Sequence, residues 1–526
     1  MTRPRRQTSL FLVILLALAP LSALAQTTAA PKTVAELQTR ISQILAKPEL
    51  APALIGMKVT SLDSGRVLFE ENAAKLLRPA SNMKIYTVAT ALDRLTPDYR
   101  FTTSVFASAK PDAAGVIRGD LRVYGRGDPS IAARFNNGDY FKSIDDLAAR
   151  IVAAGVKRVE GDLVGDETYF VGPKYGSGWE WEDLTWYYGA EITPLTVNDN
   201  ALDLFIKPGA AVGQPAVITT GPPDPLLTID NRVVTWPKGT RRDISIHRGL
   251  ADNTVRITGT IALDDRGYTG GIGISHPALL FIYLLRSSLA QKGVVVAGKS
   301  RVTGEILTPS ELILRGPNMN VHEEELAVLQ SPPFSVIAAQ TLKPSQNLYT
   351  ELILRTLGKL PPVATATPIP NPTSENLGLE TVKTFLKTVG IPSESLVLDD
   401  GSGLSRNDMI TAEASVQLLT FMSKHRYAAV FRDALPIAGV DGTLRNRLKG
   451  TPAENNLRAK TGSLSSAASL SGYVTTAAGE KLAFSIMVNN YPRDVDPRGA
   501  CIDPIAVLLA SFNDKPETKD STKNGP

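Results

Sequence analysis

The order of patterns along this chain limits its architecture more than any single motif does. "VAELQTRISQILAKPELA" carries apolar residues at helical spacing. "LIGMKVTSLDSGRVLFEENA" reads as two strands about the turn Asp63-Ser64-Gly65, and "RPASNMKIYTVATALDRL" as a helix. From about Asp98 to about Gln330 the character changes. Short β-like runs such as "FTTSVFASA", "GDLVGDETYF" and "ALDLFIKPG" alternate with Gly, Pro and Asp. Helical patterning returns at "SPPFSVIAAQTLKPSQNLYTELILRTLG", and more helices and strands follow to about Phe512. A mixed α/β (α+β) core split by an insertion explains this order better than a row of independent units. The expected core covers 33–98 and 331–512, and the β-rich insert 99–330, read as two nested units. The Pro-rich "PPVATATPIPNP" is expected to be an exposed connection. The tail 513–526 is charged, lacks an apolar face and is expected to be disordered.

The first residues, "MTRPRRQTSLFLVILLALAPLSALAQ", set three arginines before an apolar run that ends in Ala23-Leu24-Ala25. This is the pattern of a cleavable secretory signal over 1–25. Pro20 interrupts the run, which is short for a membrane span of roughly 20 apolar residues. An exported, periplasmic protein without a stable membrane anchor is expected. The formal net charge of +4, with no long basic run, argues against nucleic acid as a partner. The single cysteine, Cys501, permits neither an internal disulfide nor a cysteine-based metal cluster.

Three motifs carry chemistry. Ser81 precedes Lys84 by three residues, which on a helix sets both on one face. A serine hydroxyl is a weak nucleophile until a base takes its proton, and a lysine becomes that base only when its pKa falls. Serine is also a preferred helix cap, so the pair by itself is weak evidence. The stretch alone leaves Ser81 open as an ordinary helix cap or a nucleophile; the motifs downstream make it both cap and nucleophile. Lys460-Thr461-Gly462, followed by Ser463, offers a cation, two hydroxyls and an unobstructed glycine, a combination suited to a carboxylate at a sheet edge. Ser-x-Asn occurs four times, beginning at Ser345, Ser374, Ser405 and Ser511. Ser345 leads into an apolar helix and reads as a cap. Ser405 and Asn407 lie in the Gly-rich turn "LDDGSGLSRNDMIT", where functional residues are often found.

Ser-x-x-Lys, Ser-x-Asn and Lys-Thr-Gly in that order resemble the penicillin-recognising serine enzymes. "RPASNMKIYTVATAL", "DGSGLSRND", "AGVDGTL" and "RAKTGSLSSAASLSGYV" are similar to the class C penicillin-binding proteins, the D-alanyl-D-alanine carboxypeptidase/endopeptidase family. That resemblance covers about residues 35 to 510. It implies a serine β-lactamase-like core, an antiparallel sheet flanked by helices, with extra domains inserted between the first two motifs. It also implies a peptidoglycan stem-peptide substrate, inhibition by β-lactams, and no cofactor or metal. Ser81 would be the acylated nucleophile and Lys84 its base, kept neutral by burial and by Lys460. Ser405 would relay a proton to the leaving amine, and Asn407 would orient Lys84. Lys460, Thr461, Gly462 and Ser463 would line the grip on the terminal carboxylate. The amides of Ser81 and Ser463 would form the oxyanion hole. In "WEDLTWYY", Asp183 would meet the amine of a diaminopimelate side chain and Tyr188 would pack on its stem; an inter-domain packing patch is the competing reading.

Other readings fit less well. The four histidines are not near a G-x-S-x-G elbow, which disfavours a Ser-His-Asp hydrolase. No H-E-x-x-H or paired-ligand spacing suggests zinc. A β-lactamase or esterase with the same constellation is disfavoured by the large insert. A non-catalytic cell-wall scaffold is disfavoured by the intact set of reactive residues.

Overall fold

The computed structural model describes residues 30–250, 252–304, 323–361 and 372–514. The expected signal segment, most of the Pro-rich connection and nearly all of the charged tail lie outside them. Among the described residues no helix is long and apolar enough to cross a membrane.

The central sheet joins the two ends of the chain. The strand Lys481–Asn489 pairs antiparallel with Leu54–Ser61, in the register Leu54 to Asn489 through Ser61 to Leu482. Val67–Glu71 closes one edge, and Ala467–Thr475 then Arg458–Leu464 extend the other. Side chains alternate across a strand, so a strand buried on both faces feeds two cores. Leu482, Phe484, Ile486 and Val488 pack with Leu37 and Ile41 of α1 (Val34–Leu45) and with Ile505 and Leu509 of a C-terminal helix. Ala483 and Met487 join the opposite core, which holds Val88 and Leu92 of α2 (Met83–Leu95) and Leu418. This is the expected antiparallel sheet flanked by helices.

The chain leaves this body at Thr102–Ala107 and returns at Glu324–Gln330, and these two strands pair antiparallel, Thr102 opposite Gln330. Between them lie several small sheets around one continuous apolar cluster. A smaller cluster, Phe170, Ile192, Leu348, Tyr349 and Leu352, packs residues of the insert onto the helix Asn347–Leu357. The inserted region therefore touches the element that starts at Asn347.

The helical patterning around "QTLKPSQNLY" is divided between two helices. One helix ends at Leu342 and the next begins at Asn347. Pro344 has no N–H to continue a helix and disfavours helical geometry in the residue before it. Ser345 sits at φ 66°, a left-handed conformation that serine adopts only when its surroundings enforce it. Ser345 is therefore not a helix cap; Gln346 takes that position.

Candidate active site

Ser81 lies in a tight turn, Ala80–Asn82, that runs directly into α2. Ala80 has φ 48°, so neighbours must hold the turn. Ser469 Oγ donates to Pro79 O at 2.6 Å. Ala80 O presses so close to Gly403 that a Cβ there would lie 1.9 Å away. The expectation that Ser81 caps the helix is not met, since its side chain bonds no helix amide. Its Oγ instead accepts a hydrogen bond from Lys84 Nζ at 2.9 Å.

Lys84 is fully buried. Its Nζ also donates to Asn347 Oδ1 at 2.6 Å and to Ser402 O at 2.7 Å. Burial pulls its pKa from 10.5 down to about 7, against the opposing pull of Asp400, Glu351 and Asp408. Lys460 is buried as well, on the edge strand Arg458–Leu464. Its Nζ donates to Ser345 Oγ at 2.8 Å and to Thr461 O at 2.7 Å. Burial, and then the Lys84 charge, hold its pKa well below the ordinary lysine value.

The Ser-x-Asn that meets both lysines is therefore Ser345-Gln346-Asn347, not Ser405-Arg406-Asn407. Ser405 Oγ donates to Asp399 Oδ2 at 2.6 Å, and Asn407 Nδ2 donates to the same oxygen at 3.0 Å. A residue of the insert covers them: a Cβ on Gly178 would lie 2.2 Å from Ser405 Oγ. Asn407 has no contact with Lys84, so it does not orient that lysine. The insert instead supports the Ser345 loop. Asn347 Nδ2 donates to Tyr188 O at 2.8 Å, and Asp199 accepts from Gln346 Nε2 at 3.1 Å and from the Tyr349 hydroxyl.

The "DGSGLS" turn has a structural task. The buried Asp400 carboxylate accepts the amides of Ser402, Gly403, Leu404 and Ser405 at 2.5–3.0 Å. Trp179 Nε1, from the insert, donates to it at 2.9 Å. This arrangement aims the Ser402 carbonyl at Lys84.

A cleft of about 380 Å³ opens over Ser81, lined also by Asp183, Tyr188, Asn347, Arg406 and Thr461. Thr461 Oγ1 donates to Thr443 Oγ1 at 2.8 Å, and Ser463 Oγ accepts from Arg498 Nη2 at 2.6 Å. Asp183 is buried and forms a two-pronged ion pair with Arg406, at 2.5 and 3.3 Å. The expected partners Asp183 and Tyr188 thus do reach the cleft, but Asp183 arrives already paired.

The model of the D-Ala-D-Ala carboxypeptidase 3 (S13) family matches residues 37–512. The chain belongs to this family. A D-alanyl-D-alanine carboxypeptidase of Actinomadura sp. (strain R39) is 34% identical over 91% of this chain and 85% of its own length. The D-alanyl-D-alanine carboxypeptidase DacB of Haemophilus influenzae is 26% identical over 83% and 85%. The crystal structure of penicillin-binding protein 4 (dacB) from H. influenzae superposes with a TM-score of 0.73 at 23% identity, covering 90% of this chain and 99% of that one. The same protein complexed with a β-lactam gives 0.67 at 22% identity, covering 89% and 98%. The fold is that of a penicillin-binding protein.

Within this S13 carboxypeptidase, Gly462 is required by space. A Cβ there would lie 2.1 Å from Ser469 Oγ and 2.5 Å from Pro79 O. Backbone cannot yield as a flexible side chain does, so Gly462→Ala forces the edge strand away from the Ser81 turn. D-alanine release by the variant is expected to slow at least about tenfold, since small misplacements of reacting groups carry large rate costs. Release at the wild-type rate would show that the strand and turn are not coupled in this way.

Sequence reading missed Ser345, Asn347 and Arg406 as site residues. The available signal was Pro344, which breaks an otherwise continuous apolar helical pattern immediately before Ser345.

Proposed function

We propose that this S13 enzyme is a serine-type D-alanyl-D-alanine carboxypeptidase and DD-endopeptidase that acts on peptidoglycan stem peptides through an acyl-enzyme on Ser81, and that penicillin acylates it. The observation carrying this reading is the buried Lys84 Nζ, bonded at once to Ser81 Oγ and Asn347 Oδ1. Burial supplies the depressed pKa that a lysine base needs. The β-lactam complex of the H. influenzae protein supports the same inhibitor class. Export by the N-terminal signal-like segment accords with a cell-wall substrate.

Neutral Lys84 takes the Ser81 proton as Oγ attacks the carbonyl of the penultimate D-alanine. Charge developing on the carbonyl oxygen falls to the amides of Ser81 and Ser463, where one donor is worth about 10²–10³ in rate. The scissile C–N bond breaks, and the leaving amine takes a proton from Ser345 Oγ, which Lys460 Nζ replaces; at deacylation the attacking water's proton restores Lys460 and Lys84 returns its proton to Ser81. Water then hydrolyses the ester. Asn347 holds Lys84 and the substrate amide. The terminal carboxylate lies near Lys460, Thr461 and Ser463. Its arrival favours the charged form of Lys460, and that charge pushes Lys84 toward the neutral base. Asp183 and Arg406 form an acid–cation pair suited to the amine and carboxylate of a diaminopimelate end, with Tyr188 against its stem.

Two measurements test this. Labelled penicillin should modify the peptide that contains Ser81; a label elsewhere sinks the mechanism. The pH profile of kcat/KM for D-alanine release reports the free enzyme. Lys84 must be deprotonated, so the rate should rise with pH and bend over near the value of about 7. A profile flat from mildly acidic to mildly alkaline pH would remove Lys84 as the base.

A further inference from the structure

The cleft continues past the carboxylate grip. A second cavity, of about 570 Å³, opens beyond it. Pro344, Thr443, Thr461 and Ser463 line both cavities. Ser81, Asp183 and Arg406 line only the first; Lys343, Arg445, Arg447 and Arg498 line only the second. The second cavity therefore lies on the leaving-group side of the scissile bond.

Its charge has one sign, with four cations and no carboxylate in the lining. Three separate parts of the fold bring these cations together. Lys343 follows the helix Phe334–Leu342. The turn Gly442–Leu444 is tied to it by the Thr443 amide, which donates to Lys343 O at 3.0 Å, and presents Arg445 and Arg447. Arg498 opens the turn Arg498–Ile502. Lys343 pairs with Asp441 at 2.5 Å, and Arg447 pairs with Asp503. Arg445 and Arg498 form no ion pair among the described residues, and both are exposed. Arg498 is bonded to Ser463, so it reaches from this cavity to the grip itself.

We propose that this cavity holds the second stem of a cross-linked peptide pair, an acidic peptide whose side-chain amine is the leaving group. The inference rests on the acyl-transfer reading of Ser81 and deepens it. When free D-alanine leaves, its chain ends at the gripped carboxylate beside Arg498, and nothing extends to Lys343, Arg445 and Arg447. When a cross-link is cut, the Ser81 Oγ–acyl bond forms and the amide C–N bond to the second stem breaks. The freed amine takes the proton of Ser345 Oγ, which Lys460 Nζ replaces, while the proton from Ser81 stays on Lys84 until hydrolysis returns it. That leaving group continues beyond the grip into a peptide with further carboxylates. Arginine forks match carboxylates with two hydrogen bonds. Exposed cations are screened by salt, so the preference is ionic-strength dependent.

The test compares a cross-linked stem-peptide dimer with an uncross-linked pentapeptide, using the full protein. Arg445→Glu is expected to lower dimer cleavage about tenfold relative to D-alanine release from the pentapeptide, through like-charge repulsion. Amidating the carboxylates of the leaving stem should lower wild-type dimer cleavage similarly, and added salt should narrow the wild-type preference. Thermal unfolding and pentapeptide turnover verify that the variant is folded. An unchanged ratio in Arg445→Glu overturns the inference and leaves the acyl-enzyme reading intact. So does a wild-type protein that releases D-alanine but cuts no dimer. Failure of both D-alanine release and penicillin labelling in the wild type overturns the acyl-enzyme reading, and this inference with it.

Discussion

Ser81→Ala is expected to take up no labelled penicillin and to lose at least about four decades of D-alanine release, because in the proposed mechanism the covalent step has no other nucleophile. The fold should survive the change. Ser81 Oγ accepts one hydrogen bond from Lys84, whose Nζ keeps Asn347 and the Ser402 carbonyl as partners. The turn itself is held by Ser469 on Pro79 O, with Ala80 O packed against Gly403, and none of these contacts uses the Ser81 side chain. A melting temperature close to the wild type, with labelling absent, is the expected pair of results. Residual labelling at wild-type rate would mean that another serine reacts, and Ser345, beside Lys460, would be the first to examine.

The second large effect separates two Ser-x-Asn motifs that look alike on paper. Asn347→Ala removes the 2.6 Å bond from Lys84 and leaves one donor of a buried lysine unmet. Leaving a buried donor without its partner costs about 1–3 kcal/mol, and each 1.36 kcal/mol is tenfold in rate. One to two decades are therefore expected from this bond alone, and more if Asn347 also holds the substrate amide. Asn407→Ala removes a bond to Asp399, away from both lysines. Its acylation rate should fall by no more than about threefold, the scale of a lost contact that acts only on local packing. Stopped-flow acylation of both variants decides the matter. If Asn407→Ala were the slower of the two, the assignment of Ser345 and Asn347 would be wrong.

Much of the architecture was legible from pattern. The strands expected at "FTTSVFASA" and "ALDLFIKPG" form at Thr102–Ala107 and Ala201–Lys207, and the helix in "SIDDLAARIVAAG" forms at Lys142–Ala153. These are local signals, apolar periodicity bounded by turn residues. What failed was the choice among the four Ser-x-Asn sites. The Gly-rich turn around Ser405 suggested a catalytic loop, yet its glycines serve close packing: Gly403 lies against Ala80 O, and Asp400 gathers the surrounding amides. The loop that does meet both lysines is passed over because Ser345 leads into an apolar helix and reads as its cap; the break at Pro344 is the signal against that reading.

The sequence by itself determined the pairs that lie within one element. Ser81 and Lys84 are three residues apart across a turn and a helix start, and Lys460 to Ser463 follow one another on one strand, so local geometry alone sets their spacing. Only the tertiary structure decided which distant loop completes them. Ser345 and Ser405 are both far from Ser81 along the chain, and no periodicity carries information across such separations. The deciding contacts come from packing: the insert lays Gly178 over Ser405, while its Tyr188 carbonyl and Asp199 carboxylate hold the loop that presents Asn347 to Lys84 and Ser345 to Lys460.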